Sequence, residues 1–335
     1  MKTHGVWQIF KYCCLLLILL SGVVHAQDNG RISFSVLDDG NIVHVTQIEY
    51  RIVGGSLSIT STISVTQRRE LRVPEGAAFD RTLVLGNDGQ MDQSFKVVLL
   101  VDDEQMPFAL NDNIQPFHTI NLSAGQQERP TITFPGVDEE GLHNFVLVVF
   151  YDIEISSNNT VRGIFTPYAD SLIVGEGGIP GQSVAHPEGD EFVQGATVPG
   201  SMRVPPRGVT ISRSAEPTSE SDLLESPQRL SAGQSFSYHT HVRNGVPRQG
   251  NRDEFVLVSL LEQMQVPVDN RDDDMVAYFN LPINGLATMP AQLSAPDQPG
   301  TYNLDLLAIR NPYEFLPRGT SSLEVLHTNV MFQVN

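Results

Sequence analysis

The sequence predicts an all-β protein of two tandem antiparallel β-sandwiches joined by a linker rich in Pro and Gly. Three observations predict this fold. Apolar and polar residues alternate with a period of two, turn dipeptides separate the alternating stretches, and one pattern of strands and turns occurs twice. After residue 26 no stretch shows the apolar spacing of a convincing amphipathic helix.

Residues 1–26 have the features of a secretory signal peptide. Lys2 and Lys11 supply positive charge, an apolar stretch runs from Tyr12 to Val24, and small residues precede Gln27. This arrangement predicts cleavage before Gln27 and export to the periplasm or the cell surface. Cleavage removes both cysteines and changes the net charge from −18 to −20. Because the chain is strongly acidic, it would be repelled by the phosphates of nucleic acid, so we expect no nucleic-acid partner. No stretch after residue 26 is long and apolar enough to predict a transmembrane segment.

The first predicted sandwich covers residues 56–175. Its densest apolar runs, Phe95 to Val101 and Phe145 to Tyr151, are typical of central strands that are buried on both faces. Residues 27–55 also alternate, from Ile32 to Val36, and have no clear counterpart later in the chain. We expect them to form either an extra hairpin or part of the first sandwich.

The second predicted sandwich covers residues 207–335, with dense runs from Phe255 to Leu261 and from Leu304 to Ile309. Between the two sandwiches, residues 176–206 contain Gly-Gly, Pro-Gly and Pro-Pro dipeptides and few apolar residues. This composition predicts a semi-extended inter-domain linker.

The two predicted sandwiches share sequence matches in the same order, at offsets of 157 to 160 residues. Such ordered matches with a drifting offset are typical of a duplicated domain with loop insertions. The matched positions are Gly76 with Gly233, Phe79 with Phe236, Asn87 with Asn244, Phe95 with Phe255, Glu104 with Glu262, Ile120 with Phe279 and Phe145 with Leu304.

The repeated segment carries a resemblance to a known class of modules. Ala232-Gly233, followed by the stretch from Phe236 to Asn244, resembles bacterial Ig-like modules of exported proteins, including the cell-adhesion-related CARDB type. The resemblance implies an Ig-like sandwich that mediates contacts or spaces other domains, and it implies no active site. It does not extend to antibody-type domains, because the mature chain lacks their cysteine pair and core tryptophan.

Two histidines form the sharpest candidate for a metal site. His239 and His241 lie two residues apart on a predicted strand, so both side chains share one face and can supply two ligands to zinc or copper. The repeat assigns Phe236 and Tyr238 to the inward face, so we expect both histidines on the outward, solvated face. A metal-binding protein or hydrolase accessory that uses this pair is one alternative function.

Acidic clusters in predicted loops are candidates for a calcium site. Asp272, Asp273 and Asp274 are consecutive, and Ca²⁺ takes six to eight oxygen ligands from carboxylates and carbonyls. None of the clusters has the spacing of an EF-hand loop, so solvated loop charge is the alternative interpretation. The sequence predicts no other cofactor.

No motif for nucleophilic, zinc-dependent or phosphate chemistry is present, so we expect a non-catalytic protein. The leading hypothesis is an exported structural or protein-binding module that contacts envelope or extracellular proteins through strand edges or end loops. A carbohydrate-binding module is the other alternative. It would stack sugars on exposed tyrosines, for which Tyr168, Tyr278 and Tyr313 are the candidates.

Overall fold

A computed structural model describes residues 28–53, 56–66, 70–156, 159–165, 167–175, 192–197, 208–224, 227–245, 252–268, 274–310 and 324–335. Strands dominate these ranges, and their one helical element is a single 3₁₀ turn, Glu220–Asp222. No helix within them is long and apolar enough to cross a membrane. The strands form four mainly antiparallel sheets, I to IV in chain order, so the prediction of an all-β sandwich fold is confirmed.

Sheet I contains eight strands in the order β3-β2-β1-β5-β12-β8-β9, and β11 also pairs with β5. Their bounds are β1 Asp28–Asp38, β2 Asn41–Val53, β3 Ser56–Thr66, β5 Phe79–Asn87, β8 Phe108–Leu110, β9 Asn113–Gln115, β11 Gln127–Glu128 and β12 Thr131–Phe134.

Sheet II contains seven strands in the order β10-β6-β13-β15-β4, and β7 and β14 pair with β6 and β13 respectively. Their bounds are β4 Glu70–Val73, β6 Gln93–Val101, β7 Glu104–Gln105, β10 Phe117–Leu122, β13 Gly141–Ser156, β14 Asn159–Ile164 and β15 Tyr168–Val174.

Sheet III has the order β16-β23-β21-β25-β26-β19 with β22 paired to β21, and sheet IV has the order β17-β24-β20-β18. The strands of sheet III are β16 Phe192–Gln194, β19 Gln228–Leu230, β21 Arg252–Leu261, β22 Met264–Val266, β23 Val276–Pro282, β25 Gly300–Arg310 and β26 Glu324–Val334. Those of sheet IV are β17 Ala196–Thr197, β18 Gly208–Ser212, β20 Ser235–Arg243 and β24 Gly285–Ser294.

Two of the apolar clusters lie inside the two halves of the chain. The first joins sheets I and II and includes Phe34, Phe95 and Phe145. The second joins sheets III and IV and includes Tyr238 and Phe279. Side chains that alternate along each strand fill both clusters, as two sheets packed face to face require.

A third apolar cluster lies between the halves, where the outer faces of sheets II and III meet. It includes Val98 and Val148 from sheet II and Val256, Val258 and Leu307 from sheet III, all completely buried. Strands β6, β13, β21 and β25 are therefore covered on both faces. This confirms the prediction from their dense apolar runs that they are central strands.

Two glutamines join the halves by reciprocal hydrogen bonds. The main-chain amide of Gln105 donates to Gln265 Oε1 at 2.6 Å, and the main-chain amide of Gln265 donates to Gln105 Oε1 at 2.7 Å. Gln105 Nε2 donates to the Gln263 carbonyl at 2.7 Å, and Gln265 Nε2 donates to the Asp103 carbonyl at 3.1 Å. Such reciprocity is what a local two-fold axis produces.

A buried charge cluster also joins the halves. Arg162 Nη1 in β14 donates to Asp305 Oδ2 in β25 at 3.1 Å, and Asp305 Oδ1 lies 2.9 Å from His327 Nε2. Asp305 is completely buried. Burial lowers the pKa of Arg162, but hydrogen bonds to Asp152 and Asp305 and the charges of both carboxylates raise the pKa more, so Arg162 stays charged.

Most of the matched positions occupy equivalent places in the two halves. Gly76 and Gly233 both precede a strand and adopt positive φ angles of 67° and 66°. Asn87 Nδ2 donates to the Leu122 carbonyl and Asn244 Nδ2 donates to the Leu281 carbonyl, each at 3.2 Å.

One match is wrong. The hairpin β6–β7 turns at Asp102-Asp103 and pairs Val101 with Glu104, whereas β21–β22 turns at Glu262-Gln263 and pairs Leu261 with Met264. Glu104 is therefore equivalent to Met264 and not to Glu262. The similar residues occupy different places, after the turn in the first hairpin and within the turn in the second.

The segments at the predicted domain boundaries also form strands. Residues 28–53 make β1 and β2, and β1 pairs with β5 inside sheet I. Residues 192–197, within the segment predicted as a linker, make β16 and β17, which pair with β23 and β24 on the two sheets of the C-terminal half.

Candidate binding edge

The third strand of the chain lies at one end of sheet I. β3 pairs with β2 over its whole length, from Val53 opposite Ser56 to His44 opposite Thr66, and no described strand pairs with its other side. With eleven residues it is longer than any other terminal strand in the described sheets. A row of backbone donors and acceptors therefore faces outward along this edge.

The composition of β3 lacks the devices that normally prevent edge pairing. Its sequence, SLSITSTISVT, contains no charged residue and no proline. Native edges are commonly protected by Lys, Pro, short length or bulges, and of these β3 has only a bulge. It therefore presents a long, uncharged edge on a strongly acidic chain.

The bulge lies in the middle of β3. Tyr50 of β2 is opposite Ile59 and Glu49 is opposite Ser61, so Thr60 is the extra residue. A bulge of this kind reverses the alternation of faces beyond it. Consequently Leu57 and Ile59 lie opposite buried positions of β2 before the bulge, and Thr62 does so after it.

Apolar side chains are exposed beside this edge. Ile59 is 51% exposed and Val53, at the neighbouring end of β2, is 44% exposed. Leu57 is partly buried and packs against the core of the N-terminal half, which anchors the strand to the sandwich. The first part of β3 thus combines an anchoring residue, Leu57, with accessible apolar surface at Ile59 and Val53.

A polar cleft of about 540 Å³ lies on the outer face of β1 and β2, next to the same edge. Arg31, Glu49, Arg51 and Asp88 are among its lining residues. Arg31 Nε donates to Asp88 Oδ2 at 2.9 Å, and Nη2 donates to the same oxygen. The hydrogen bond to Asp88 and the charge of Asp88 raise the pKa of Arg31. The cleft therefore carries charges of both signs.

The equivalent edge in the C-terminal half is covered. β18 pairs with β20 as β1 pairs with β5, and a loop follows it directly. The Leu224 amide donates to the Ile211 carbonyl at 2.9 Å, and Ser212 forms a bridge with Leu223. Where sheet I continues into β2 and β3, sheet IV ends under its own loop.

The two predicted histidine ligands lie on β20, on the face of sheet IV that points away from the apolar core. The expectation that this face is solvated is wrong for His241, which is 0% exposed. Its Nε2 lies 2.7 Å from Ser212 Oγ and its Nδ1 lies 2.9 Å from Thr288 Oγ1. Because Ser212 Oγ donates to the Ser214 carbonyl, we assign the His241 proton to Nε2.

The environment of His241 favours its neutral form. Burial lowers the pKa of His241 to about 4, and the nearby His239 contributes to the decrease. Ser212 and the backbone of Ser214, at the start of the loop after β18, lie beside the imidazole, which the sequence alone did not indicate. His239 is partly buried. Among the described residues no group of three or more His, Cys, Asp or Glu side chains is placed to hold a metal ion.

The other predicted site residues are not gathered into a site. Asp272 and Asp273 lie outside the described residues, and Asp274 is exposed at the start of the segment that leads into β23. Tyr168 was expected to be exposed, but it is 1% exposed, because it packs against His44 and accepts a hydrogen bond from Arg81. It therefore offers no sugar-stacking surface. Tyr278 is partly buried, and Tyr313 lies outside the described residues.

Comparison with known proteins gives distant structural likenesses only. No family model matches the chain, and no curated protein matches it. A red sea bream transglutaminase is similar over 81% of this chain and 31% of its own length, with 9% identity and a TM-score of 0.22. The CARDB domain of a Pyrococcus furiosus protein, in complex with di-metal ions, is similar over 33% of this chain and 89% of its own length, with 15% identity and a TM-score of 0.21.

These values are too low to assign an activity, a metal or a partner to the chain. The chain spans less than a third of the transglutaminase that it matches.

Proposed function

We propose that the chain is a non-catalytic exported module that binds proteins of the cell envelope or the extracellular space by strand addition to β3. The observation that carries this proposal is the eleven-residue, uncharged edge of β3. In strand addition, an extended segment of the partner supplies main-chain hydrogen bonds, and neighbouring side chains supply selectivity.

The rest of the fold supports a binding role for this edge. β3 belongs to sheet I, whose inner face packs against sheet II. The opposite face of sheet II packs against sheet III. The edge is therefore held by two layers of buried side chains, so that little conformational entropy is lost when a partner binds. β1 begins at Asp28, directly after the residue expected at the mature N terminus, so cleavage before Gln27 leaves sheet I complete.

A pull-down tests the proposal. Mature protein, residues 27–335, is cross-linked to native envelope fractions as wild type, as Ser58→Lys and as Thr119→Lys. Ser58 is exposed on β3, and Thr119 is exposed on β10, a terminal strand of sheet II, so the two variants are matched in charge and location. We expect Ser58→Lys to lose the captured proteins and Thr119→Lys to keep them. Equal capture by all three proteins would contradict the role of β3.

The export part of the proposal has a separate test. Mass spectrometry of the protein from its native host should give a mature chain that begins at Gln27 and lies outside the cytoplasm. A cytoplasmic protein that still begins at Met1 would contradict it.

A further inference from the structure

We propose that the occupant of the β3 edge is a second copy of this chain, paired antiparallel through β3 about a two-fold axis between Thr60 and Ser61. This inference rests on the proposed function, because it uses the same edge, and it names the partner. Pairing of identical surfaces about a two-fold axis is the commonest way in which soluble chains associate.

The register between β2 and β3 determines where such an axis can lie. Before the bulge, Leu57 lies opposite Ile52 and Ile59 lies opposite Tyr50, both of which are buried. Ser56 lies opposite Val53 and Ser58 lies opposite Arg51, both of which are exposed. After the bulge, Thr62 lies opposite Ile48 and Ser64 lies opposite Thr46, both of which are buried. Ser61 lies opposite the exposed Glu49. Ile63 lies opposite Gln47 and Val65 lies opposite Val45, both of which are half-buried.

This pattern of faces is symmetric about the midpoint between Thr60 and Ser61. Two antiparallel copies centred there place Ile59 opposite Thr62 of the second copy and Ser58 opposite Ile63 of the second copy. Residues that are directly opposite in a continuous sheet must lie on the same face. In this register, opposite residues lie on the same face on both sides of the bulge. A shift of the register by one residue would put core-side positions against solvent-side positions.

Charge explains why this edge accepts a second copy. Residues 27–335 have a net charge of −20, so most surfaces of two copies repel each other. From residue 52 through residue 67 the chain carries no charged side chain, so no like charges meet across a β3–β3 pair. One strand pair buries far less surface than a standard protein interface, so we expect a weak, concentration-dependent dimer.

Sedimentation velocity of residues 27–335, over a wide range of concentration, measures this association. The variant Ser58→Lys/Ile63→Lys places lysines opposite each other on both sides of the axis, and we expect it to weaken association by about tenfold. Ser58→Lys/Ile63→Glu places opposite charges there and should restore it. Thr119→Lys should leave it unchanged. The lysine pair lowers the net negative charge, so weaker association cannot come from general repulsion.

Cysteine cross-linking tests the register itself. The mature chain has no cysteine, so Ser58→Cys/Ile63→Cys introduces the only thiols. Within one chain, positions five residues apart in a strand are roughly 16 Å apart, which is too far for a disulfide. We expect the double variant to form covalent dimers under mild oxidation and each single variant to remain monomeric.

The outcomes separate the two proposals. A protein that is monomeric at every concentration, or a dimer that survives Ser58→Lys/Ile63→Lys, would overturn the second-copy inference. A monomer that still captures an envelope protein, and loses it in Ser58→Lys, would overturn this inference and support the proposed function. Circular dichroism and the urea midpoint of each variant establish that it is folded.

Discussion

The two halves of the chain repeat one pattern of strands and end it differently at one edge. In the N-terminal half β1 is followed by β2 and β3, so sheet I extends outward to an edge with no described neighbour. In the C-terminal half the equivalent strand β18 is followed by a loop that bonds back to Ile211. The same core can therefore carry either a long accessible edge or a closed one, depending on the segment after the first strand.

This difference separates the parts of the molecule that provide stability from the part that is available for binding. The outer faces of sheets II and III are buried in the contact between the halves, and the edge of sheet IV at β18 is bonded to the loop that follows it. β3 lies on the opposite side of the N-terminal core. If the proposed function holds, binding specificity follows from an addition to the repeated fold and not from the repeat itself.

The largest expected effect comes from breaking the charge cluster that couples the halves. Arg162→Met leaves the completely buried Asp305 with His327 as its one remaining ion-pair partner among the residues that the structure describes. Removal of one partner of a buried ion pair costs about 3–5 kcal/mol, because the remaining charge is uncompensated. We expect the free energy of unfolding, measured in urea, to fall by about that amount.

Arg252→Met is the control for Arg162→Met, because Arg252 is exposed and bonds only near the edge of sheet III. It should change the free energy of unfolding by less than about 1 kcal/mol. Equal effects of the two variants would show that the Arg162–Asp305 ion pair adds no more to stability than the exposed hydrogen bonds of Arg252.

A second prediction uses the buried histidine of the C-terminal half. Because the folded-state pKa of His241 is lowered to about 4, the unfolded chain binds a proton below about pH 6.5 that the folded chain does not. Stability should therefore fall as the pH falls from 6.5 to 4, by up to about 3 kcal/mol. His241→Gln lacks this titration, so its urea midpoint should show a smaller decrease over the same range. Identical pH profiles for the wild type and His241→Gln would contradict a lowered pKa for His241.

The duplicated asparagines give a direct comparison of the halves. Asn87 Nδ2 donates to the Met91, Leu122 and Ser123 carbonyls, whereas Asn244 Nδ2 donates to the Leu281 carbonyl and to Asp253. Alanine at either position leaves buried acceptors unsatisfied, which costs about 1–3 kcal/mol. We expect Asn87→Ala to be the more destabilising in urea, because more carbonyls lose their donor. A larger loss for Asn244→Ala would reverse the comparison.

His143 gives the N-terminal half the opposite pH response to that of His241. Burial lowers the pKa of His143, but the hydrogen bond and charge of Asp102 raise it more, and the net pKa is raised above 6.5. The stabilisation that protonated His143 gains from Asp102 is therefore complete below pH 6.5, and it is lost as the pH rises through the folded-state pKa of His143. We expect His143→Gln to remove stability at pH 6 and to have a smaller effect at pH 8. A constant difference between the two pH values would contradict it.

The sequence predicted the strands well because period-two alternation and dense apolar runs report burial directly. Phe95 to Val101 and Phe255 to Leu261 read as central strands, and both are covered on two faces. The match of Glu104 with Glu262 failed because Glu104 follows its turn whereas Glu262 lies within its turn, and a short identity in sequence carries no information on register. The turn itself, where Asp102 and Glu262 both have positive φ, is the position that is equivalent.

The environment of the candidate sites was harder to predict. His241 has the parity of an outward residue, which is correct, but Ser212, Ser214 and Thr288 from other segments of the chain bury it, and such contacts leave no periodic signal. Tyr168 is buried for a different reason, because it lies in the core between sheets I and II and contacts His44 of β2 and Arg81 of β5. The β3 edge did carry a signal, the absence of charge from residue 52 through residue 67. Its meaning depended on the strand order, which the sequence does not state.

The smallest expected effect concerns the two hairpin turns at the contact between the halves. Gln263 has a φ of 68° and its buried Nε2 has no hydrogen-bond partner within the described residues, whereas Asp103 fills the equivalent place with a φ of 71°. Long side chains are strained in this region, aspartate is less so, and glycine is not. Gln263→Gly keeps the backbone carbonyl that accepts from Gln105, so we expect it to stabilise the protein by about 0.5–1 kcal/mol. Asp103→Gly should gain less, and a urea midpoint that falls in Gln263→Gly would show that the glutamine side chain contributes packing that outweighs its strain.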